Sequence, residues 1–204
     1  MNKTRMLLGC LLALTLLSGC NAQPPETTVP PTEAPTEAPT ETPPDSLLYY
    51  GEIKEIGESS LSMDSDRSGP WVMELTDGTA FVDSGERTLF DPAILKAGDR
   101  IYVFHSPVAA YTMPPKSQAF AVLRNIPMDV SCGMYHEVEA LRQEGDTLLI
   151  TTDNGGLTLG ADADTRIFTP DGETAQLEVG DYVIAWYWNR GEEVLHPSHL
   201  MRLP

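Results

Sequence analysis

Cysteine is scarce in this chain, at three residues in 204. Cys10 and Cys20 belong to the N-terminal apolar segment, so only Cys132 lies in the part expected to fold. No intrachain disulfide is available there, and the fold must rest on core packing. Basic residues are also few: 13 Lys and Arg against 30 Asp and Glu give a net charge of −17. Without the first nineteen residues, which hold Lys3 and Arg5, the charge is −19. Setting aside Glu26, Glu33, Glu37, Glu41 and Asp45 as well leaves −14 for the remainder. A field of that sign repels phosphate backbones and anionic lipid, so nucleic acid is not expected as a partner. Helical periodicity is missing after Asp45, which points to an all-β chain. Catalytic signatures are missing too: there is no Gly-x-Ser-x-Gly elbow, no phosphate-cradling glycine loop and no His-Glu-x-x-His. No catalytic residue, metal or cofactor is expected.

What is present begins with an address. Lys3 and Arg5 precede an almost unbroken apolar run from Met6 to Leu17. That run suits the core of an export signal and falls short of the ~20 residues of a spanning helix. It ends in Leu17-Ser18-Gly19-Cys20, which resembles the lipobox of bacterial lipoproteins. The resemblance implies removal of residues 1–19 and a diacylglycerol on the Cys20 sulfur. The protein is then held to the outer face of the bacterial cell membrane. Residues 20–46 form a Pro/Thr/Glu tether in which Thr32-Glu33-Ala34-Pro35 recurs as Thr36-Glu37-Ala38-Pro39. It has no apolar face to offset its ordering entropy, and its prolines keep it extended.

Beyond the tether the chain repeats itself. Leu95-Lys96-Ala97-Gly98-Asp99 followed by an apolar run matches Leu177-Glu178-Val179-Gly180-Asp181 followed by another. Gly51-Glu52-Ile53 matches His136-Glu137-Val138, and Thr88-Leu89-Phe90 is aligned with Thr165 to Phe168. The closing segments are Ala119–Leu123 and Leu200–Leu203. The copies are placed at 47–128 and 134–204. Each holds short β-branched and aromatic runs divided by turn pairs such as Asp77-Gly78 and Asn154-Gly155. An opening Gly-x-Ile strand, a Leu-x-x-Gly-Asp turn into a Val-x-Val strand, and Thr112-Met113-Pro114-Pro115 before a closing strand resemble OB-fold-type domains of exported bacterial proteins. The resemblance implies two tandem small OB-like β-barrels and brings no catalytic residues with it.

Candidate sites follow from alternation along strands. In Val183 to Trp188, one face holds Ile184, Trp186 and Trp188; in the first copy Tyr102 and Phe104 match it. Those aromatics, with Tyr111 in the longest loop, either stack on a cell-wall glycan or envelope protein or bury against the sister copy. The reading favoured is a non-catalytic envelope binding or assembly module, a monomer attached through Cys20. The alternative is an envelope hydrolase or metal enzyme built on His196 and His199 with nearby acids, for which a third ligand is needed. Asp64-Ser65-Asp66-Arg67-Ser68-Gly69 has calcium-loop spacing but lacks the closing glutamate, and reads as a polar hairpin. Cys132 reads as a small packing residue.

Overall fold

The computed structural model describes residues 45–126, 132–188 and 190–204. The leader, Cys20 and all of the tether up to Pro44 lie outside the described residues. Among the described residues no helix is long and apolar enough to cross a membrane. The chain is all-β, and its runs of Val, Ile, Leu and aromatics form strands of two to eleven residues, the most helical segment being a single 3₁₀ turn at Pro92–Ile94.

The first set is β1 (Leu47–Ile56), β2 (Ser60–Ser65), β3 (Gly69–Glu74), β4 (Ala80–Asp83), β5 (Thr88–Leu89), β6 (Arg100–Ala110) and β7 (Lys116–Arg124). β1 pairs antiparallel with β2 and β6, β2 with β3, and β6 with β7. β3 then runs parallel to β7 through Val72, Met73 and Glu74, which closes a ring of five. A bulge between Ile53 and Glu55 lets β1 bend from one side of the ring to the other. This is an OB-like barrel.

The second set is β8 (Gly133–Glu137), β9 (Ala140–Glu144), β10 (Thr147–Thr152), β11 (Leu157–Ala161), β12 (Arg166–Phe168), β13 (Tyr182–Trp186) and β14 (His199–Arg202). β8 and β9 together do the work of β1, with β8 on β13 and β9 on β10. β13 pairs with β14, and a parallel bridge from Leu159 to Leu195 completes the same circuit. The two sets share one topology.

The Gly-Asp turn shows how closely the copies agree. Asp99 Oδ2 accepts the Lys96 N–H at 2.8 Å, and Asp181 Oδ2 accepts the Glu178 N–H at 2.8 Å. Gly98 and Gly180 both adopt φ +94°, a left-handed backbone that strains any residue with a Cβ. The Gly98 N–H donates to Ile53 O and the Gly180 N–H to Val138 O, each at 2.8 Å. Gly51 therefore corresponds to His136, as the sequence repeat indicates. A Cβ on Gly51 would collide with the Asp64 carbonyl, because β2 runs alongside it. At the matching place β8 pairs with β13, while pairing to β10 passes to β9, and an imidazole is accommodated.

One landmark of the repeat is corrected. The counterpart of Thr165 is Thr79, not Thr88. Thr79 Oγ1 donates to Ala119 O at 2.9 Å, as Thr165 Oγ1 does to Pro197 O at 2.8 Å. β4 lies parallel on β7 just as β12 lies parallel on β14. Thr88-Leu89 is instead the return strand of a hairpin on β4. Two threonines nine places apart, each ahead of an apolar run, make the short landmark ambiguous in sequence.

Alternation divides the buried side chains into three cores. Ile53, Leu61, Met73, Ile101 and Val103 fill the first barrel. Val138, Ile150, Leu159, Val183 and Ala185 fill the second. The third core joins them: Val82, Phe104 and Leu123 of the first barrel pack with Phe168, Ile184 and Trp186 of the second.

Candidate functional site: the aromatic cleft between the barrels

The aromatic face read from the sequence divides on folding. Trp186 is wholly buried, and its indole N–H is shared between Ser84 O and Ser84 Oγ at 3.1 Å each. Phe104 is buried in the same joint core, and half-buried Tyr102 packs at its edge. The ring of Tyr102 lies against that of Tyr50, tilted by 31° at 4.7 Å between centroids. Trp186 and Phe104 are thus residues between barrels rather than a ligand platform. β13 stops at Trp186, so the alternation does not reach Trp188, which is 53% exposed. Tyr111 is fully exposed in the β6–β7 connection, flanked by exposed Val108 and Met113.

Where the third core meets solvent, it opens into a cleft of about 260 Å³. Gln118 and Phe120 of β7 form one wall; Tyr135 and Glu137 of β8 and Tyr182 of β13 form the other, and Asp45 also lines the space. Three rings stack in a row. Phe120 and Tyr135 lie 5.6 Å apart at 20°, and Tyr135 and Tyr182 lie 5.6 Å apart at 12°. The spacing is that of offset aromatic pairs. Register explains the row: Tyr182 pairs with Glu137 and Ile184 with Tyr135, so the two tyrosines are diagonal neighbours on one face. Tyr182 is 43% exposed and offers its ring to the opening.

Electrostatics marks the cleft as anionic. Burial pushes the Tyr135 phenol well above its ordinary value, reinforced by Tyr182, Glu137 and Asp45. Tyr182 is raised for the same leading reason, with Glu137 next. Both phenols are therefore neutral donors beside two carboxylates. Sequence reading missed this cleft. Extending the β13 alternation one step back, from Ile184 to Tyr182, is the signal that finds it. Phe120 and Tyr135 come from strands about fifteen residues apart in sequence and meet only through the barrel-to-barrel packing.

The histidine pair does not converge. His196 Nδ1 lies 3.7 Å from Asp162 Oδ2 on the surface. His199 instead contacts Ser198 Oγ at 3.0 Å and enters a different pocket. Among the described residues no three metal-ligating side chains come together. His136 is buried, with Nδ1 3.0 Å from Asp153 Oδ1 and Nε2 2.9 Å from the Tyr187 hydroxyl. It is thus engaged away from Cys132, whose thiol donates to Gly133 O at 3.3 Å and is pushed up to about 11 by burial. The calcium-like Asp64–Gly69 segment is the β2–β3 hairpin, in which Asp66 pairs with Arg100.

No known family's sequence profile matches the chain. No curated protein matches it. Among solved structures, Drosophila Unr CSD456 matches at 10% identity and a TM-score of 0.25, covering 78% of this chain and 63% of that one. A multidomain protein with nucleic acid binding domains from Streptococcus pneumoniae matches at 10% identity and a TM-score of 0.22, covering 74% and 50%. The chain thus spans less than two thirds of either. The OB-like assignment stands on this chain's own strand pairings. The expectation that nucleic acid is excluded as a partner is corrected here on the charge arithmetic itself. The physical fault lies in the inference: −17 is a sum over the whole chain and does not fix the field at any one surface.

Proposed function

We propose that this chain is a non-catalytic binding module, tethered by a lipid on Cys20 to the outer face of the bacterial membrane, that holds a sugar ring in the cleft between its barrels. The row of Phe120, Tyr135 and Tyr182 carries the reading. A pyranose presents C–H bonds on its faces and hydroxyls around its rim. Flat aromatic rings suit the faces, and Asp45, Glu137 and the Gln118 amide suit the hydroxyls. The volume of about 260 Å³ lies just below the ~300–1,000 Å³ of pockets for drug-sized ligands and fits a single ring at the end of a chain. The lipobox-like Leu17-Ser18-Gly19-Cys20 supports the address, where cell-wall glycan is at hand.

Calorimetric titration with soluble cell-wall saccharide fragments tests the site. Tyr182→Ala removes an exposed ring and is expected to weaken binding at least tenfold while leaving the melting temperature within about 2 °C. Equal binding by that variant, or no heat from any fragment, refutes the sugar reading. Radiolabelled palmitate should enter the wild-type protein in cells and not the Cys20→Ala variant; label in both would refute the anchor.

A further inference from the structure

A second pocket of about 210 Å³ lies between the barrels, shares no residue with the aromatic cleft and has the opposite chemistry. Arg87 enters it from the β4–β5 turn, Arg166 from β12 and His199 from β14. The turn that presents Arg87 is held from below. Buried Asp83 accepts the Glu86 N–H at 3.0 Å and the Asn125 amide at 2.7 Å, and pairs with Arg124 at 3.1 Å. The Arg87 N–H donates to Asp83 O at 2.8 Å, and Arg87 itself sits at φ +56°. A non-glycine residue in that left-handed region is kept there by its surroundings, a pattern that clusters at functional positions.

The guanidinium carbon of Arg87 stands 5.9 Å from the Trp186 ring centre, and its buried Nε has no partner. That of Arg166 stands 4.9 Å from the Phe168 ring, with one nitrogen donating to Gly172 O at 3.0 Å. His199 packs edge-on against the same Phe168. In a chain this acidic, Arg100, Arg124, Arg142 and Arg202 each take a carboxylate partner. Arg87 and Arg166, like Arg67 on the surface, take none among the described residues, although Glu86 and Asp171 also line the pocket. Two forked donors and an imidazole around one small space match a tetrahedral oxyanion.

We infer that this pocket binds a phosphate or sulfate group between Arg87 and Arg166, with His199 as the third donor. His199 reports on occupancy. Burial first, and then the charges of Arg87 and Arg166, hold its imidazole below the ordinary value. An anion placed between them favours the charged ring, so its apparent pKa must rise on binding. Glu86 and Asp171 face the same space and would be followed in the same titrations.

The experiment is an NMR titration of the His199 ring in the full chain with inorganic phosphate, against chloride at equal ionic strength. Dimethyl phosphate, tested in parallel, separates a free ion from a phosphodiester of a larger ligand. The inference expects a saturable, phosphate-specific shift, weakened about tenfold in each of Arg87→Gln and Arg166→Gln and intact in Tyr182→Ala. A response equal to that of chloride, or unchanged in both arginine variants, overturns it. Should Arg87→Gln fail to fold, Arg166→Gln decides alone. Loss of sugar binding in Tyr182→Ala bears on the other cleft and leaves this result standing.

Discussion

Replacing Trp186 by Phe tests the joint between the barrels with a small change. Two losses follow. The phenyl ring is smaller than indole and leaves a void in a site with no exposure, costing roughly 1–2 kcal/mol. The indole donor also goes, leaving Ser84 O without its indole partner, while Ser84 Oγ keeps the Gly133 N–H at 3.2 Å. A buried acceptor stripped of its donor costs about 1–3 kcal/mol. Together the destabilisation is about 2–5 kcal/mol. At a urea dependence of about 2 kcal/mol/M, the unfolding midpoint falls by roughly 1–2.5 M. Trp188→Phe, at an exposed position two residues on, is the matched control and should cost under about 0.5 kcal/mol. Urea titrations followed by circular dichroism give both numbers. A double-mutant cycle with Ser84→Ala should show coupling of about 1 kcal/mol. If Trp186→Phe costs no more than Trp188→Phe, the indole is solvated and the barrels do not share a core.

Three further outcomes follow from particular groups. Burial lowers the pKa of His105, whose ring packs on Tyr49 at 4.4 Å; its contribution is present above its ordinary value of 6.5 and lost as pH falls below that. Thermal melts between pH 7 and 5 should therefore fall less steeply for His105→Gln than for wild type. Asp99→Ala and Asp181→Ala remove matched turn bonds and should each cost about 1 kcal/mol in denaturant unfolding; a large inequality would show that the two turns are not equivalent. Cys132, pushed up to about 11 from 9.0, should be alkylated at pH 8 about a hundredfold more slowly in the folded chain than in urea. Mass spectrometry of the tryptic peptide measures this, and equal rates would show the thiol open to solvent.

The barrel class was legible because its signals are local. Strand alternation separated Val183 and Ala185 from Ile184 and Trp186, and each pair lies in the core that alternation assigns. The Leu-x-x-Gly-Asp turns were legible because a glycine at φ +94° followed by a capping aspartate leaves a fixed pattern in sequence. The Thr88 alignment failed where only one residue type carried it. Neither pocket was legible. Phe120 meets Tyr135, and Arg87 shares a pocket with Arg166, only through the packing of one barrel on the other. Periodicity reports which face of a strand is covered and is silent about what covers it.

The bond from Trp186 to Ser84 has a consequence for how such a pair of modules holds together. Two identical subunits meeting on a twofold axis must offer the same patch to each other, so every donor needs its acceptor on both copies. Here the place of Trp186 is taken in the sister barrel by Phe104, which has no polar hydrogen to give. Tandem linkage on one polypeptide frees each half from self-complementarity: one side specialises as the plug and the other as the socket.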